Sequence, residues 1–478
     1  MSQRYDVIIA GAGTAGIPAA IFAARRGAKV LLVEHADTVG GALHLSGGQV
    51  SAAGTRLQEA CGISDSAECH FADVMRISKG TADEAMVRLA VDNAAETLHW
   101  LLDSGFKPLP EHPILVFGHE TYSVPRTYWG ADNGRSILKV LSALLDREIA
   151  RGGIDLRLQT ELVGLEREED GTVVGIAARD ATGAKQVYNG ENVVITTGGY
   201  AANAEMFAKY TGGIPLFTHA YPHAQGTGIR LILEAGGQLL NNEKFLPTFG
   251  RIEDPDQPGR IANIIETRPQ ERLPWEIYVN LDGERFIAED TESPDARERA
   301  ILAQRDMTFW AVYDRAVERR APGFFHTISP QRVDSLFNAH PSFVRADSLA
   351  QLAQRAGIDE ATLIATIDVY NARLERGEED PLGRRHRPRP ITEPPFQAVK
   401  LHGTTNVSFG GVAVDHDFRA LANGKPIPNL YAAGEALGFG LVNGNAFAGG
   451  MGVTPALTFG RLLGQTLLDW HGARAAAE

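Results

Sequence analysis

The chain has 478 residues, of which 44% are hydrophobic, and its formal net charge is −13 at pH 7. This length suits two or three domains. The acidic balance argues against a nucleic-acid partner and against an anionic membrane surface. The sequence contains two cysteines, Cys61 and Cys69. Two cysteines provide neither a disulfide framework nor a metal site, so no metal is predicted and a reducing compartment is the simple interpretation. No basic and apolar leader precedes the first apolar run, and no run of about 18 apolar residues occurs, so we expect a cytoplasmic protein with no membrane partner.

A glycine motif near the N-terminus is the strongest local signal. An apolar run at residues 7–10 precedes G-x-G-x-x-G at residues 11–16, an Ala-rich helical segment, and a second apolar run that ends at Glu34. The three glycines would allow a tight turn, let a pyrophosphate approach the backbone, and let helix and strand pack closely. The phosphates would bind at the helix N-terminus, and the acid would accept hydrogen bonds from a ribose. This context favours a dinucleotide site over a Gly-rich turn without a ligand, and its candidate residues are Gly11, Ala12, Gly13, Thr14, Ala15, Gly16, Glu34 and His35.

A second group of glycines follows the acidic residue directly. The group consists of Gly40 and Gly41 before Ala42, and Gly47 and Gly48 after Ser46. Alone, these residues would indicate two loop turns, but after the dinucleotide motif they indicate backbone that lies against a flat ligand. The segment resembles one in the FAD-dependent oxidoreductase 2 family, which includes soluble fumarate reductases, succinate dehydrogenase flavoprotein subunits and 3-ketosteroid dehydrogenases. The resemblance implies that the ligand is FAD, not NAD.

The same resemblance extends along most of the chain. Residues 192–200 form an apolar strand that ends in Thr-Gly-Gly, and residues 429–436 closely match the family motif L-Y-A-A-G-E. The further FAD-binding residues that the resemblance implies are Leu162, Val163, Thr197, Gly198, Gly199, Gly228, Gly434, Glu435, Gly450, Gly452 and Val453. The histidine that binds flavin covalently in membrane-bound relatives falls on Ala42, so a non-covalent FAD is implied, although His44 is close in sequence.

The expected fold is α/β, with a Rossmann-like FAD-binding domain and an inserted α+β capping domain. From about residue 241, prolines, charges and aromatic residues become more frequent and the dinucleotide-fold pattern stops. We therefore expect the first part of the FAD-binding domain at residues 1–240, the capping domain at 241–406 and the C-terminal part of the FAD-binding domain at 407–478. Within the capping domain, helices are expected at residues 297–318, 349–355 and 359–374.

The chain departs from the fumarate reductase pattern at four positions that would bind a dicarboxylate. Leu246 and Asn406 stand where that pattern has histidines, and Ser293 and Phe447 stand where it has arginines. A phenyl ring cannot replace the bidentate hydrogen bonds of a guanidinium. An apolar lining suits an uncharged or cyclic substrate instead.

An aromatic segment at residues 122–129 supplies the candidate catalytic residues. In ketosteroid dehydrogenases a tyrosine from this region lines the substrate pocket, so Tyr122 and Tyr128 are candidate bases, with Arg126 expected to lower the pKa of the base. The alternative is that these aromatic residues pack at a domain interface with Arg126 satisfied by carbonyl groups. The substrate-binding candidates are Leu246, Arg272, Asn406, Phe447 and Met451.

The sequence therefore predicts an FAD-dependent dehydrogenase that forms a C=C bond α,β to the carbonyl of a cyclic or ketosteroid-like substrate. A base would remove the α proton, a hydride would pass to flavin N5, and the N–H groups of Met451 and Gly452 would stabilise the enolate. One alternative is a fumarate-reductase-like reductase of an activated alkene, with Arg272 or Arg126 as the acid. The other is a non-catalytic flavin-binding module. The expected partners are a small carbonyl compound and an unidentified electron acceptor, and the sequence does not indicate an oligomeric state.

Overall fold

The computed structural model describes residues 4–257, 259–321 and 323–468. The strands are β1 (Arg4–Ala10), β2 (Val30–Val33), β3 (Val50–Ser51), β4 (Thr127–Tyr128), β5 (Ile154–Arg157), β6 (Glu161–Arg167), β7 (Val173–Arg179), β8 (Lys185–Ile195), β9 (Leu239–Leu240), β10 (Thr248–Glu253), β11 (Ile261–Ala262), β12 (Ile277–Asn280), β13 (Thr308–Asp314), β14 (Phe343–Ala346), β15 (Phe396–Thr404), β16 (Gly411–Val412), β17 (Arg419–Ala422) and β18 (Lys425–Ala432).

The α-helices alternate with these strands. They are α1 (Gly16–Arg25), α2 (Arg56–Ala60), α3 (Ala67–Ile77), α4 (Glu84–Asp92), α5 (Ala94–Asp103), α6 (Gly134–Ala150), α7 (Ala204–Thr211), α8 (Thr227–Glu234), α9 (Pro294–Leu302), α10 (Arg315–Arg320), α11 (Pro330–Ala339), α12 (Leu349–Ala356), α13 (Glu360–Glu375), α14 (Gly440–Asn443) and α15 (Val453–Thr466). None of the helices in the described ranges is long and apolar enough to cross a membrane.

An eight-stranded sheet contains the glycine motif. Its main order is β17-β18-β8-β1-β2-β5, and β6 and β7 join it through β8. The neighbouring strands from β18 to β5 are parallel, with Val7 opposite Val30 on one side and Asn192 on the other. All four residues of β2 are buried, as expected for an apolar strand inside a parallel sheet. This arrangement confirms the predicted α/β class.

Helix α15 packs against α1 at two glycines. A Cβ atom at Gly460 would lie 2.1 Å from the carbonyl oxygen of Ala15, and one at Gly464 would lie 2.5 Å from that of Ala19. Any larger residue would therefore push the two helices apart. The contact fixes the position of α15 beside the glycine motif, although more than 400 residues separate the two segments.

A second sheet of six strands lies between residues 248 and 404. Its main order is β11-β10-β15-β13-β12, β14 also pairs with β15, and the pairings are antiparallel. Strands β9 and β16 lie outside this sheet and pair with each other through Leu240 and Gly411. The segment between them therefore begins and ends at one place beside the part of the chain that forms the eight-stranded sheet. The domain boundaries at residues 240 and 406 stay a prediction.

The predicted helix at residues 297–318 is wrong over much of its length. Helix α9 ends at Leu302, and strand β13 occupies Thr308–Asp314 with all its residues buried. That strand is rich in aromatic residues and valine, which fit a pleated sheet, and periodicity alone cannot separate a short buried strand from a buried helix. The helices expected at 349–355 and 359–374 are confirmed as α12 and α13.

Candidate active site

A cavity of about 310 Å³ lies at the carboxyl ends of β1, β2, β8 and β18. Ligands of open α/β sheets bind beyond these strand ends. The walls come from the glycine motif, from residues 33–35 after β2, from residues 196–198 after β8, from the region 434–442, and from residues 451–456 at the start of α15. Segments far apart in the chain thus enclose one elongated space.

Most of the predicted cofactor residues border this cavity. Those in the wall are Gly11, Gly13, Thr14, Ala15, Glu34, His35, Gly41, Ala42, Ser46, Leu162, Thr197, Gly198, Gly434, Glu435, Gly452 and Val453. Their individual roles stay predictions, but the structure brings together residues that were selected from motifs as distant as 11–16 and 450–453.

The geometry of the glycine motif fits a dinucleotide. Gly11 has a φ of +106°, and a Cβ atom there would lie 2.4 Å from the carbonyl oxygen of Thr196, so only glycine suits this turn. A Cβ atom at Gly16 would lie 1.9 Å from the carbonyl oxygen of Gly11. Gly13 differs, because a Cβ atom there would meet no protein atom within 4 Å. Its open side borders the cavity, which is where a pyrophosphate would need close access to the backbone.

The other predicted cofactor residues lie outside the wall. They are Ala12, Gly16, Gly40, Gly47, Gly48, Val163, Gly199, Gly228 and Gly450. Several of them shape the wall through packing, since a Cβ atom at Gly199 would lie 1.9 Å from Ser408 Oγ and one at Gly450 would lie 2.6 Å from the amide nitrogen of Ser51. Gly47 is exposed and has no such close neighbour. Gly199 and Gly450 thus support the wall through close packing, and the roles of all these residues toward a cofactor stay predictions.

Glu34 is buried at the end of β2 and oriented by backbone groups. Its Oε2 accepts a hydrogen bond from the amide of Ala12 at 2.8 Å, and its Oε1 accepts one from the amide of Ala36 at 2.9 Å. Each carboxylate oxygen can still accept a second hydrogen bond. A ribose hydroxyl at the cavity wall would find an acceptor already in place.

Glu435 lies in the wall on the segment after β18. It accepts hydrogen bonds from the amide and the hydroxyl of Ser408, at 2.9 and 3.2 Å. Burial raises the pKa of Glu435 to about 7, and the Ser408 hydrogen bonds only partly oppose that effect. This side chain can therefore act as a donor as well as an acceptor toward cofactor hydroxyls near neutral pH.

The start of α15 supplies backbone donors, but not quite those expected. The amide of Met451 donates to the carbonyl oxygen of Ala448 at 3.1 Å, so its predicted role toward an enolate is wrong. The amides of Gly452 and Val453 have no acceptor within the described residues. Because the first N–H groups of a helix attract negative charge, these two amides and the dipole of α15 can stabilise an anion in the cavity.

Sequence reasoning missed an aromatic group over one end of the cavity. The rings of His35 and His223 lie 4.4 Å apart, and those of Tyr221 and His223 lie 5.4 Å apart. All three residues border the cavity. Only His35 was a candidate, on the strength of its place after Glu34. The segment that contains Tyr221 and His223 has no periodicity, and the available signal was its position just before the turn at Gly226.

Arg126 does not lie in the cavity wall and is fully buried. It donates to Asp65 at 2.9 Å from two nitrogens and to Asp73 at 2.8 Å. The alternative, in which Arg126 is packed and satisfied by protein groups, agrees with this result. Its main partners, however, are carboxylates and not the expected carbonyl groups. A guanidinium with two buried carboxylate partners is not available to a substrate.

The tyrosines of the same segment also differ from expectation. The hydroxyl of Tyr128 lies 2.6 Å from Thr55 Oγ1, and burial raises the pKa of Tyr128 to about 12. Tyr122 donates to the carbonyl oxygen of Gly449 at 2.5 Å, and burial raises its pKa as well. Arg126 does lower the pKa of both tyrosines as expected, but burial raises it by more. Neither side chain borders the cavity.

The predicted substrate residues fall into two groups. Asn406 and Met451 border the cavity. Leu246 is fully buried in the core, and Arg272 donates to both carboxylate oxygens of Glu276 at 2.9 Å, away from the cavity wall. A proton or a substrate carboxylate from the cavity does not meet Arg272 in this arrangement.

Phe447 belongs to an aromatic cluster at the α15 end of the cavity. Its ring centroid lies 5.0 Å from that of Phe439, which borders the cavity, and 5.5 Å from that of Phe409. The ring also stacks on His119, with 4.5 Å between the ring centroids. No sequence pattern indicated His119, which lies in an irregular stretch without a motif.

The segment beside the predicted flavin favours a non-covalent cofactor. Ala42 borders the cavity and has no side chain that could form a covalent bond to flavin. His44 Nε2 lies 2.9 Å from the carbonyl oxygen of Val39, and His44 is outside the wall.

Comparisons with known proteins agree with this geometry. Residues 6–453 match the family described as FAD binding domain. The chain is 29% identical to fumarate reductase (cytochrome) from Shewanella frigidimarina, over 97% of this chain and 77% of that protein. It is 26% identical to urocanate reductase from Eggerthella lenta, over 97% of this chain and 74% of that protein.

Among solved structures, 3-ketosteroid delta1-dehydrogenase from Sterolibacterium denitrificans has the same fold. The TM-score is 0.78 at 20% identity, and the match covers 98% of this chain and 100% of that one. Together with the family match over residues 6–453, the cavity with its glycine motif and free helix N-terminus leads to one conclusion: this chain belongs to the FAD binding domain family and is an FAD-dependent oxidoreductase.

Proposed function

We propose that the protein interconverts a C–C single bond and a C=C bond α,β to a carbonyl group, in a substrate that carries a ring. The observation that carries this proposal is the aromatic cluster of Phe409, Phe439 and Phe447 at the end of the FAD cavity. Aromatic rings in offset or edge-to-face contact attract another ring by about 0.5–1.5 kcal/mol each beyond the burial of area. A small dicarboxylate would instead need cations at this place.

FAD, when bound, accepts or supplies a hydride at its N5 atom. The glycine motif and Glu34 would bind its pyrophosphate and ribose, and the amides of Gly452 and Val453 would face negative charge on the reduced ring. FAD would be held without a covalent bond, since Ala42 is the residue beside it. The chain must also provide a proton donor or acceptor, and neither Arg126 nor Arg272 is free to do so.

We favour reduction of the alkene as the working direction. Two relatives that align with 97% of this chain are named as reductases, of fumarate and of urocanate. The second name indicates that a substrate with a ring can be accommodated in this fold. A cyclic enone or an enoate with an aryl substituent fits the phenylalanine cluster, and the electron donor that reduces FAD stays unidentified.

The second candidate is the opposite direction, desaturation of a cyclic ketone. It is favoured by the uncharged wall residues Asn406 and Phe439 and by Phe447, which packs on Phe439, because none of them provides a cation for a carboxylate. A ketone needs only hydrogen-bond donors for its oxygen, and the two amides at the start of α15 can act as such donors.

An anaerobic titration tests both directions with the FAD-loaded protein. Dithionite-reduced protein is mixed with fumarate, cyclic enones and aryl-substituted enoates while flavin absorbance is followed, and oxidised protein is mixed with the saturated cyclic ketones. We expect rapid reoxidation by a ring-bearing alkene and slow reoxidation by fumarate. Bleaching by a cyclic ketone, without reoxidation by alkenes, would move the assignment to desaturation.

Two variants test the role of the aromatic cluster. Phe447→Leu keeps an apolar side chain but removes the ring, and we expect about a 10-fold loss of preference for the ring-bearing substrate, equivalent to about 1.4 kcal/mol. Val187→Ala changes an exposed apolar residue of β8 and serves as the control. If the protein reacts with no compound of the panel in either direction, or prefers fumarate, the proposal is wrong.

A further inference from the structure

A histidine and a glutamate form a pair beside Phe447. His119 Nδ1 lies 3.0 Å from Glu298 Oε1. The imidazole is stacked on Phe447 with an angle of 15° between the ring planes. Phe447 in turn contacts Phe439 in the cavity wall, so the imidazole lies beside the aromatic cluster on which the substrate ring is proposed to pack, although His119 does not itself border the FAD cavity.

Several contacts hold His119 in place. Residues Glu120 and Ala448 form a parallel bridge, and Tyr122 donates to the carbonyl oxygen of Gly449, so the segment with His119 runs along the loop with Phe447. Ser293, the N-cap of α9, donates to Glu120 at 3.2 Å. The position of the imidazole is therefore determined by three segments, at residues 119–122, 293–298 and 447–449.

The pair combines an exposed imidazole with a buried carboxylate. The side chain of His119 is 26% exposed, whereas that of Glu298 is 3% exposed. Burial raises the pKa of Glu298, and the hydrogen bond from His119 opposes this effect. When Glu298 is ionised its carboxylate can only accept, so Nδ1 then donates, and Nε2 is left without a hydrogen-bond partner in the described part of the chain.

The surrounding charges do not compete for the pair. Asp295 on the same helix pairs with Lys79 at 2.6 Å and with Arg299 at 2.8 Å. Arg297, one residue before Glu298, points to the carbonyl oxygen of Thr267 and to the ring of Phe249. Glu120 accepts the hydrogen bond from Ser293. Glu298 is thus the acidic partner that orients the imidazole.

We propose that His119, oriented by Glu298, is the acid–base residue of the reaction proposed above. In reduction, Nε2 gives a proton to the α carbon of the alkene, and in desaturation it removes that proton. A carboxylate that fixes the Nδ1–H tautomer and stabilises the imidazolium is a general way to prepare a histidine for this role. Glu298 is a positioning residue, since it acts through His119.

The step is balanced in atoms and electrons. In reduction the π bond of the alkene would break, a hydride that reduced FAD would supply when bound would form the C–H bond at the β carbon, and the Nε2–H bond would break as the proton forms the C–H bond at the α carbon. The substrate would gain the two electrons that come with this hydride, and the neutral imidazole would regain a proton from solvent. The enolate that develops between the two events can face the amides of Gly452 and Val453.

The proposal rests on the proposed function, and His119→Gln tests it with the FAD-loaded protein. Stopped-flow absorbance measures reoxidation of the reduced protein by the best alkene of the panel and, separately, by ferricyanide, which needs no proton transfer to carbon. We expect the alkene reaction to slow by about 100-fold or more, as for loss of a general acid, while the ferricyanide reaction is unchanged. The matched control is His416→Gln, which changes an exposed histidine in a turn.

Glu298→Gln provides a second measurement that a purely structural role would not produce. Loss of the carboxylate removes the group that orients Nδ1, so the alkene rate should fall while the ferricyanide rate stays unchanged. Imidazole added to His119→Ala should restore part of the rate. FAD absorbance and thermal unfolding show whether each variant is folded and loaded.

The outcomes separate this inference from the proposed function. Equal alkene rates in His119→Gln and the parent protein would refute the role of His119 and leave the proposed function intact. Equal losses with the alkene and with ferricyanide would also refute it, since a damaged flavin site and not a lost proton would then be the cause. A parent protein that reacts with no alkene and no ketone would overturn both.

Discussion

Single residues show how similar sequence signals can have different physical roles. Gly13 and Gly47 both lie in glycine-rich segments that resemble FAD motifs. A Cβ atom at Gly13 would enter the cavity, whereas Gly47 is exposed and outside the wall. Glycine is needed at Gly11 because of the protein backbone, whereas at Gly13 we expect it to be needed because of the ligand, a difference that a motif does not reveal.

Gly13→Val should therefore abolish FAD binding while the protein still folds. The new side chain meets no protein atom near its Cβ but occupies the place of the pyrophosphate. We expect FAD affinity to fall by about 100-fold or more, which is about 3 kcal/mol. Fluorescence titration with FAD and circular dichroism measure affinity and folding.

Gly47→Val is the matched control for this experiment. Its FAD affinity should stay within about threefold of that of the parent protein, because surface changes away from contacts have small effects. A similar loss in both variants would mean that residues 46–48 contact FAD as the motif predicts and that the cavity wall has been drawn too narrowly.

At the scale of elements, buried charges connect helices and strands that carry no catalytic group. Arg126 precedes β4, and its partners Asp65 and Asp73 lie before and within α3. The strand β4 pairs with β3, whose Ser51 amide donates to Thr454 Oγ1 in α15. The ion pairs thus stabilise the arrangement that positions the start of α15. This structural role accounts for the presence of Arg126 in the aromatic segment, and no catalytic role is needed.

Arg126→Gln tests this structural role. The substitution leaves two buried carboxylates without their cation, and we expect a loss of about 3–5 kcal/mol in the free energy of unfolding. Thermal or urea unfolding of the FAD-loaded protein measures the loss.

The exposed pair of Arg56 and Asp103 provides the comparison. At 2.6 Å it is as close as the buried pairs, but both side chains are largely exposed. Arg56→Gln should cost less than about 1 kcal/mol. If Arg126→Gln unfolds like Arg56→Gln yet loses turnover, Arg126 contacts the reaction after all.

At the scale of the whole molecule, one cofactor would connect the segments that form the cavity. The wall includes residues 10–15 near the N-terminus, residues 434–442 and the start of α15. A ligand that contacts all of these segments binds the folded state only. The stability of the whole unit is then coupled to FAD.

Removal of FAD should lower the unfolding temperature. At a free FAD concentration 100 times the Kd, binding contributes about 2.7 kcal/mol to the free energy of unfolding. For a chain of 478 residues, whose unfolding entropy is about 1 kcal/mol/K, that corresponds to a shift of about 3 °C. Thermal unfolding is followed by circular dichroism before and after removal of FAD and after its return, and equal unfolding temperatures would show that the cavity wall is stable without the ligand.

The sequence by itself determined the parallel α/β core, the FAD site and the family. These features depend on local patterns. Gly11, Gly13 and Gly16 lie between two apolar runs, and Gly434 and Glu435 follow a third apolar run. The constraints that produce such patterns act over a few residues, such as a turn with positive φ or a backbone that must contact a phosphate, so they are visible without the fold. The domain boundaries and the roles of single site residues stay predictions.

The tertiary structure alone decided which polar residues are available for chemistry. Arg126 and Arg272 looked like functional residues in the sequence, but Asp65, Asp73 and Glu276 lie against them in the fold. His119 belongs to no motif, yet it meets Glu298, which is 179 residues away, beside Phe447. Burial and charge pairing depend on contacts between distant segments, and the identity of a residue does not specify those contacts.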